Sequence, residues 1–457
     1  MNQPIKKSEW SLAAVAVVLG NLANILESTK KLSEAGYASI VFVWHGSKAI
    51  PTSFTVVGWV LLGLVIWRYM RSRVQSKLVA IGVPFVVSSL LLATNLIALP
   101  VARTPASVWE KHFAQVRNRL LSATSGRGFR WDPSEPKTEV EPWGTSQALI
   151  GLMTDPQTTE KHKAEIRGAF DYLQSIKRKG DGWGYFPTDD WSLTEIEGWV
   201  TLASIRALHV GIWTPAERGQ RIADIDQNLT ELAARQDESG GVRPICETDE
   251  GLMRTYSTTI ALWAFVEARS ETMLSATVGQ RYDDNIRRAV SWLLVHRNPA
   301  PAGWVPNPLR NNVREGFPGL TAQVLFVLAK ADKADQSFVN SRNEYTDAKM
   351  KFLDCLDAPK CTSRVDTRVP DADQHLRPTK RVLEASTFLW FPWTVATLSD
   401  LTVDQELTAD ARKAADRVRD ELLSRHEEII EGLGVALTYQ LGENLIGVEH
   451  GLDILGK

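Results

Sequence analysis

Cysteine is scarce: the chain of 457 residues holds three. No C-x-x-C pair occurs among them, which excludes a zinc ribbon and a thioredoxin-type redox motif. Cys355 and Cys361 lie close enough in sequence to bond in an oxidising compartment; the alternative is two free thiols. Basic surface is missing from most of the chain. Residues 1–104 carry ten Lys/Arg against three acids, a net of +7; the whole chain nets −2, which leaves −9 for residues 105–457. A domain of that sign is a poor partner for nucleic acid, whose phosphates need basic surface. Strand signal is nearly absent after residue 105: alternating runs of Val, Ile and Thr are missing and helical spacing dominates. No cofactor or metal is expected.

The basic N-terminal part is strongly apolar. Segments 52–70 and 78–101 each approach the roughly 20 apolar residues that cross a bilayer as a helix. Arg68, Arg71, Arg73 and Lys77 fill the short link between them. Such a cluster is expected on the cytoplasmic side, which puts the following domain outside the cytoplasm. A further apolar segment, 11–26, is shorter and contains Asn21 and Asn24; it is expected to span, to lie in the interface or to pack on the hairpin. The expected division is a membrane anchor over 1–104 and a helical domain over 105–457, with the lipid bilayer as one partner.

The helical domain repeats. One half of each repeat is an amphipathic helix followed by a glycine-rich turn with an aromatic, as in EIRGAFDYLQSIKRKGDGWGYF from Glu165 and NIRRAVSWLLVHRNPAPAGWVP from Asn285. The other half starts at a glutamate and runs into a helix of small and aliphatic residues. Its copies begin at Glu141, Glu197, Glu250, Glu315, Glu384 and Glu431, with spacings of 56, 53, 65, 69 and 47 residues. A helix apolar nearly all round is expected to be buried on several sides; a striped one suits an outer position. About six such pairs, closing into a ring, give an all-α fold of the α/α toroid type. The sixth copy is the poorest, so five pairs plus a capping pair is the alternative.

With the turn GDGWGYF (180–186), the inner-helix starts TSQALIGL (145–152) and STTIALWAF (257–265), and ARQDESGGVRP (234–244), residues 105–445 resemble the terpenoid cyclase/protein prenyltransferase superfamily of α/α toroids. The resemblance implies the fold more than an activity, because one fold hosts many functions. Class II cyclases of that superfamily use an Asp-x-Asp-Asp acid; the corresponding kind of loop here reads Pro187-Thr188-Asp189-Asp190, without the first acid. A prenyltransferase zinc site would have to come from Asp354, Cys355 and His426, which fall on outer-type helices. The lanthionine-cyclase cysteine pattern and the complement-type thioester motif are absent.

Three readings follow. In the first, the domain is a ligand- or partner-binding module. Glu141, Glu197, Glu250, Glu315 and Glu384 are expected to share one rim, with Trp143, Trp199, Phe317 and Tyr185 beside them and Arg254 and Arg314 neutralising acids or holding a diphosphate. A cation, a basic peptide, a protein or an isoprenoid lipid would bind there. The plainer role for the glutamates is to complement helix dipoles, worth about 0.3–1 kcal/mol each. In the second reading the domain is an enzyme acting on an isoprenoid or polyprenyl lipid, with Asp189 and Asp190 as the acid. Asp189 and Asp190 also suit the approach to a helix near Ser192, with Glu195 completing a capping pattern. A structural subunit of a membrane complex is a third possibility.

Overall fold

The computed structural model describes residues 105–134, 139–178, 182–189, 191–244, 254–275, 278–297, 303–305, 308, 318–357, 366–368, 387–424 and 437–451. All lie in the compact unit Thr104–Lys457. Among the described residues no helix is long and apolar enough to cross a membrane. The expected membrane segments 11–26, 52–70 and 78–101 lie outside them.

Among the described residues, twelve principal helices alternate between two roles. The outer ones are α1 (Pro105–Ser122), α3 (Lys163–Ile176), α5 (Pro215–Ala234), α7 (Asp283–Val295), α9 (Arg342–Asp357) and α11 (Ala409–Ser424). The inner ones are α2 (Pro142–Leu152), α4 (Thr194–His209), α6 (Thr255–Ser270), α8 (Pro318–Ala334), α10 (Trp390–Val403) and α12 (Thr438–Gly451). Each inner helix packs on the next, and α12 returns to α2, so the inner ring closes. A two-stranded antiparallel ribbon, β1 (Asp366–Arg368) with β2 (Thr387–Leu389), precedes α10. Cys355, in α9, is disulfide-bonded.

The local signals explain the alternation. In α3 the buried residues are Ile166, Ala169, Phe170 and Leu173, a single stripe at helical spacing. In α2 every residue is buried, so the helix has no solvent face at all. Starts are marked by caps. Glu141 precedes Pro142 and accepts from the backbone N–H groups of Trp143 and Gly144. Thr214 and Glu217 form a capping box before α5. The turn tryptophans tie turns to outer helices in the same way twice: Trp183 Nε1 donates to Leu173 O and Trp304 Nε1 to Leu293 O, both at 2.7 Å.

Ring closure depends on a glycine. At Gly442 in α12 a β-carbon would sit 2.6 Å from the carbonyl carbon and oxygen of Gln147 in α2. Only a residue without a side chain lets the last inner helix approach the first this closely. The sixth inner helix starts at Thr438, seven residues beyond the glutamate expected to open it; Glu431 itself lies outside the described residues.

Candidate functional site

Hydrogen bonds from the turns set the register between inner helices. The backbone N–H of Phe129 donates to Thr145 Oγ1 at 3.1 Å, that of Val242 to Thr258 Oγ1 at 2.9 Å, and that of Trp304 to Thr321 Oγ1 at 3.0 Å. The three threonines therefore stand at one level of α2, α6 and α8. In α4 that level is held by Glu197, packed beneath Gly182 as Thr321 is beneath Gly303. Gly182 has a φ of +78°, and a β-carbon there would overlap the Glu197 carboxylate.

This register corrects the expected equivalence of the repeat glutamates. Glu141 caps α2, whereas the cap positions of α4 and α6 are held by Leu193 and Arg254. Glu197 sits one turn deeper. The spacing of the glutamates had hidden a shift of four residues, because both positions fall near a helix start. Glu250, Glu315, Glu384, Phe317, Arg314 and Asp190 lie outside the described residues.

Glu141 and Glu197 are 2% and 0% exposed. Burial pushes the Glu141 carboxyl up to about 8, against the backbone hydrogen bonds from Gly144 and Trp143 that lower it. Burial does the same for Glu197, to about 8, while Arg235 and Lys177 pull the other way. Arg235 Nη2 lies 3.8 Å from Glu197. These two carboxyls are therefore structural and largely neutral at pH 7, not an exposed acidic edge. Asp189 closes a turn: its carboxylate accepts from Phe186 N at 2.8 Å and its own N–H donates to Phe186 O at 3.1 Å.

Aromatic rings dominate the inner-helix N-terminal end. Tyr439 stacks on Trp131 at 5.5 Å and on Trp143 at 5.1 Å. Trp143 meets Tyr185 at 5.6 Å, and Tyr185 meets Trp191 edge-on at 5.7 Å. The five rings form a continuous ladder across the start of the ring, fully buried at Tyr439 and half-buried at Tyr185 and Trp191. Trp199 is fully buried beneath the rim, and its Nε1 donates to Tyr256 Oη at 2.9 Å.

Deeper inside stands a residue that sequence reasoning missed. Glu443 in α12 accepts from Trp393 Nε1 at 2.7 Å and from Gln147 Nε2 at 3.0 Å. Burial pushes its pKa up to about 8 against those two bonds. Beside it Trp199, Trp263, Phe326 and Trp393 meet one another at 5.3 to 6.4 Å and fill the middle of the ring. The available signal was an acid in the middle of the small and aliphatic run TYQLGENLIGVEHG, which carries a second one, Glu449, near its end. Among the described residues no group of His, Cys, Asp and Glu is arranged to hold a metal ion.

This fold has solved relatives. The chain is similar to the GH76A α-1,6-mannanase from Salegentibacter sp. HEL1_6, at 12% identity over 76% of this chain and 99% of that one, with a TM-score of 0.53. An inactive variant of that enzyme, with α-1,6-mannotriose bound, superposes equally well. A type II terpene cyclase from Scytonema, in complex with geranylgeranyl dihydroxybenzoate, is 16% identical over 69% of this chain and 79% of its own, with a TM-score of 0.39. No family model matches the sequence, and no curated protein matches it. The likeness establishes an α/α toroid and leaves activity to the site itself.

Proposed function

We propose that the toroid is a recognition module, tethered to a bilayer by segments 52–70 and 78–101, that binds a ligand across the aromatic ladder at the N-terminal end of its inner helices. The ladder of five rings is the observation that carries this reading. Flat π-faces recognise apolar chains by burial and cations by the ring quadrupole, the latter worth about 0.5–2 kcal/mol per contact. Because Glu141 and Glu197 are buried and protonated near neutral pH, ring faces rather than a charged rim supply the attraction. The disulfide at Cys355 supports a toroid outside the cytoplasm.

The test is tryptophan fluorescence of the full chain in detergent, titrated with geranylgeraniol and with a lysine-rich peptide. Saturable quenching by one of them, lost in Tyr185→Ala and Trp191→Ala, is the expected result. No saturable change with either probe removes the reading.

Glu443 favours a second reading, an enzyme acting on an isoprenoid lipid. Such chemistry needs an acid that keeps its proton at neutral pH beside aromatic rings. Glu443 meets that description better than Asp189, whose carboxylate is committed to a turn. Mass spectrometry of lipid extracts separates the readings. A product that disappears with Glu443→Gln, and persists with Asp189→Asn/Asp190→Asn, assigns Glu443 as the acid; identical lipid profiles in all three remove the enzyme reading.

A further inference from the structure

The far end of the ring holds a second feature. Nine residues beyond the threonine level, three inner helices carry a charge in an otherwise apolar setting: Arg206 in α4, Glu267 in α6 and Lys330 in α8. In α12 Glu449 and His450 join them. These side chains line a cavity of about 260 Å³ together with Ile150, Trp263 and Ile446. It is separated from the aromatic ladder by the four rings that fill the middle of the ring.

The charges are paired. Arg206 bonds Glu449 and also donates to Met153 O at 3.1 Å; Lys330 Nζ lies 2.7 Å from Glu267. Each of the four side chains keeps 21 to 30% exposure, so none is sealed by its partner. Trp263 Nε1 fixes the Glu267 carboxylate at 2.8 Å. His209, 63% exposed, bonds Glu271 at the edge of the cavity and leaves an approach from solvent. His450 packs at 4.9 Å on Phe326, and burial, with Lys330 and Arg206 adding to it, holds its imidazole neutral.

Such a lining discriminates among ligands. A phosphate would have to displace Glu449 or Glu267 from its cation, and a simple cation would have to displace Arg206 or Lys330; each exchange leaves a charge unpaired in a confined space. A neutral polyol needs no exchange. Its hydroxyls accept from spare N–H groups of Arg206 and Lys330 and donate to the remaining lone pairs of Glu267 and Glu449. The apolar residues Trp263, Ile150 and Ile446 give its C–H face a place to lie. The volume is just under the roughly 300–1,000 Å³ of pockets for drug-sized molecules, which suits one sugar ring.

We infer that this cavity is a binding site for a neutral polyhydroxylated molecule the size of one hexose, distinct from the aromatic rim. The experiment is isothermal titration of the full chain in detergent with glucose, mannose and N-acetylglucosamine, and with glycine betaine and inorganic phosphate for comparison. Saturable binding of at least one hexose is expected. It should weaken at least tenfold in Glu267→Gln/Lys330→Met, which removes both charges while leaving Trp263 its acceptor, and in Ile446→Phe, which fills the space. Tyr185→Ala/Trp191→Ala at the opposite end should leave it unchanged. No saturable hexose binding by the wild-type chain overturns the inference, as does a preference for betaine or phosphate. Loss of binding in the rim variant alone overturns it too, by moving the site to the other end.

Discussion

Replacing Glu443 with Gln tests the interior of the ring. In the folded chain the carboxyl keeps its proton up to about pH 8; its ordinary value is 4.5. Between those values the unfolded chain releases the proton and the folded chain does not. Stability is therefore fullest below about pH 4.5 and is lost as pH rises towards 8, by about 1.4 kcal/mol per pH unit for this one group. An amide in its place cannot titrate, so in Glu443→Gln that part of the slope disappears. The amide also fits the site. Trp393 Nε1 goes on donating to its oxygen, and its NH₂ faces Gln147. Gln147 has a buried Oε1 without a hydrogen-bond partner, and a flip of the Gln147 amide presents that oxygen to the new donor. The variant is thus expected to match the wild type within about 1 kcal/mol near pH 5, where the protonated acid and the amide are similar, and to exceed it by about 3 kcal/mol near pH 7.5. Urea unfolding followed by tryptophan fluorescence across this range reads the difference directly. A difference that stays constant with pH refutes the assignment of a protonated Glu443. Glu443→Leu is the companion measurement: it leaves Trp393 Nε1 and Gln147 Nε2 without an acceptor and should cost about 1–3 kcal/mol per orphaned donor at every pH.

Three further outcomes are expected. Gly442→Ala forces a β-carbon against the backbone of Gln147 and should cost about 1–3 kcal/mol of unfolding free energy, since the first and last inner helices must separate; a neutral effect in urea unfolding would argue against the seam. Arg235→Met removes the cation nearest Glu197 and should cost about 3 kcal/mol above pH 8, where that acid ionises, and less near pH 6; the same cost at both values in urea unfolding would contradict a neutral Glu197. A reporter fused after Lys457 should be active only when exported across the membrane; activity from a cytoplasm-specific reporter would reverse the proposed orientation.

Much of the architecture was legible in the chain before any coordinates. The stripe Ile166, Ala169, Phe170 and Leu173 announces an outer helix, and the uncharged run rich in small and aliphatic residues after Glu141 announces an inner one. The glycine-aromatic turns mark where one passes into the other. The site was less legible. Glu141 and Glu197 look alike in sequence, each opening a small-residue run with a tryptophan two positions on. Which of them caps a helix and which lies beneath a turn depends on a hydrogen bond from a neighbouring segment. Tyr439 and Trp131 stack although they are far apart in the chain, and nothing local to either names its partner.

Sequence alone determined the alternation of outer and inner helices and their pairing into about six repeats, because periodicity and turn residues act within a few residues. Tertiary structure decided which side chains share a level, that Glu443 keeps its proton, and that Arg206, Glu267, Lys330 and Glu449 face one cavity. Those properties come from desolvation and from distances between helices. Both are created only when α12 closes on α2, and neither is encoded by any one stretch of chain.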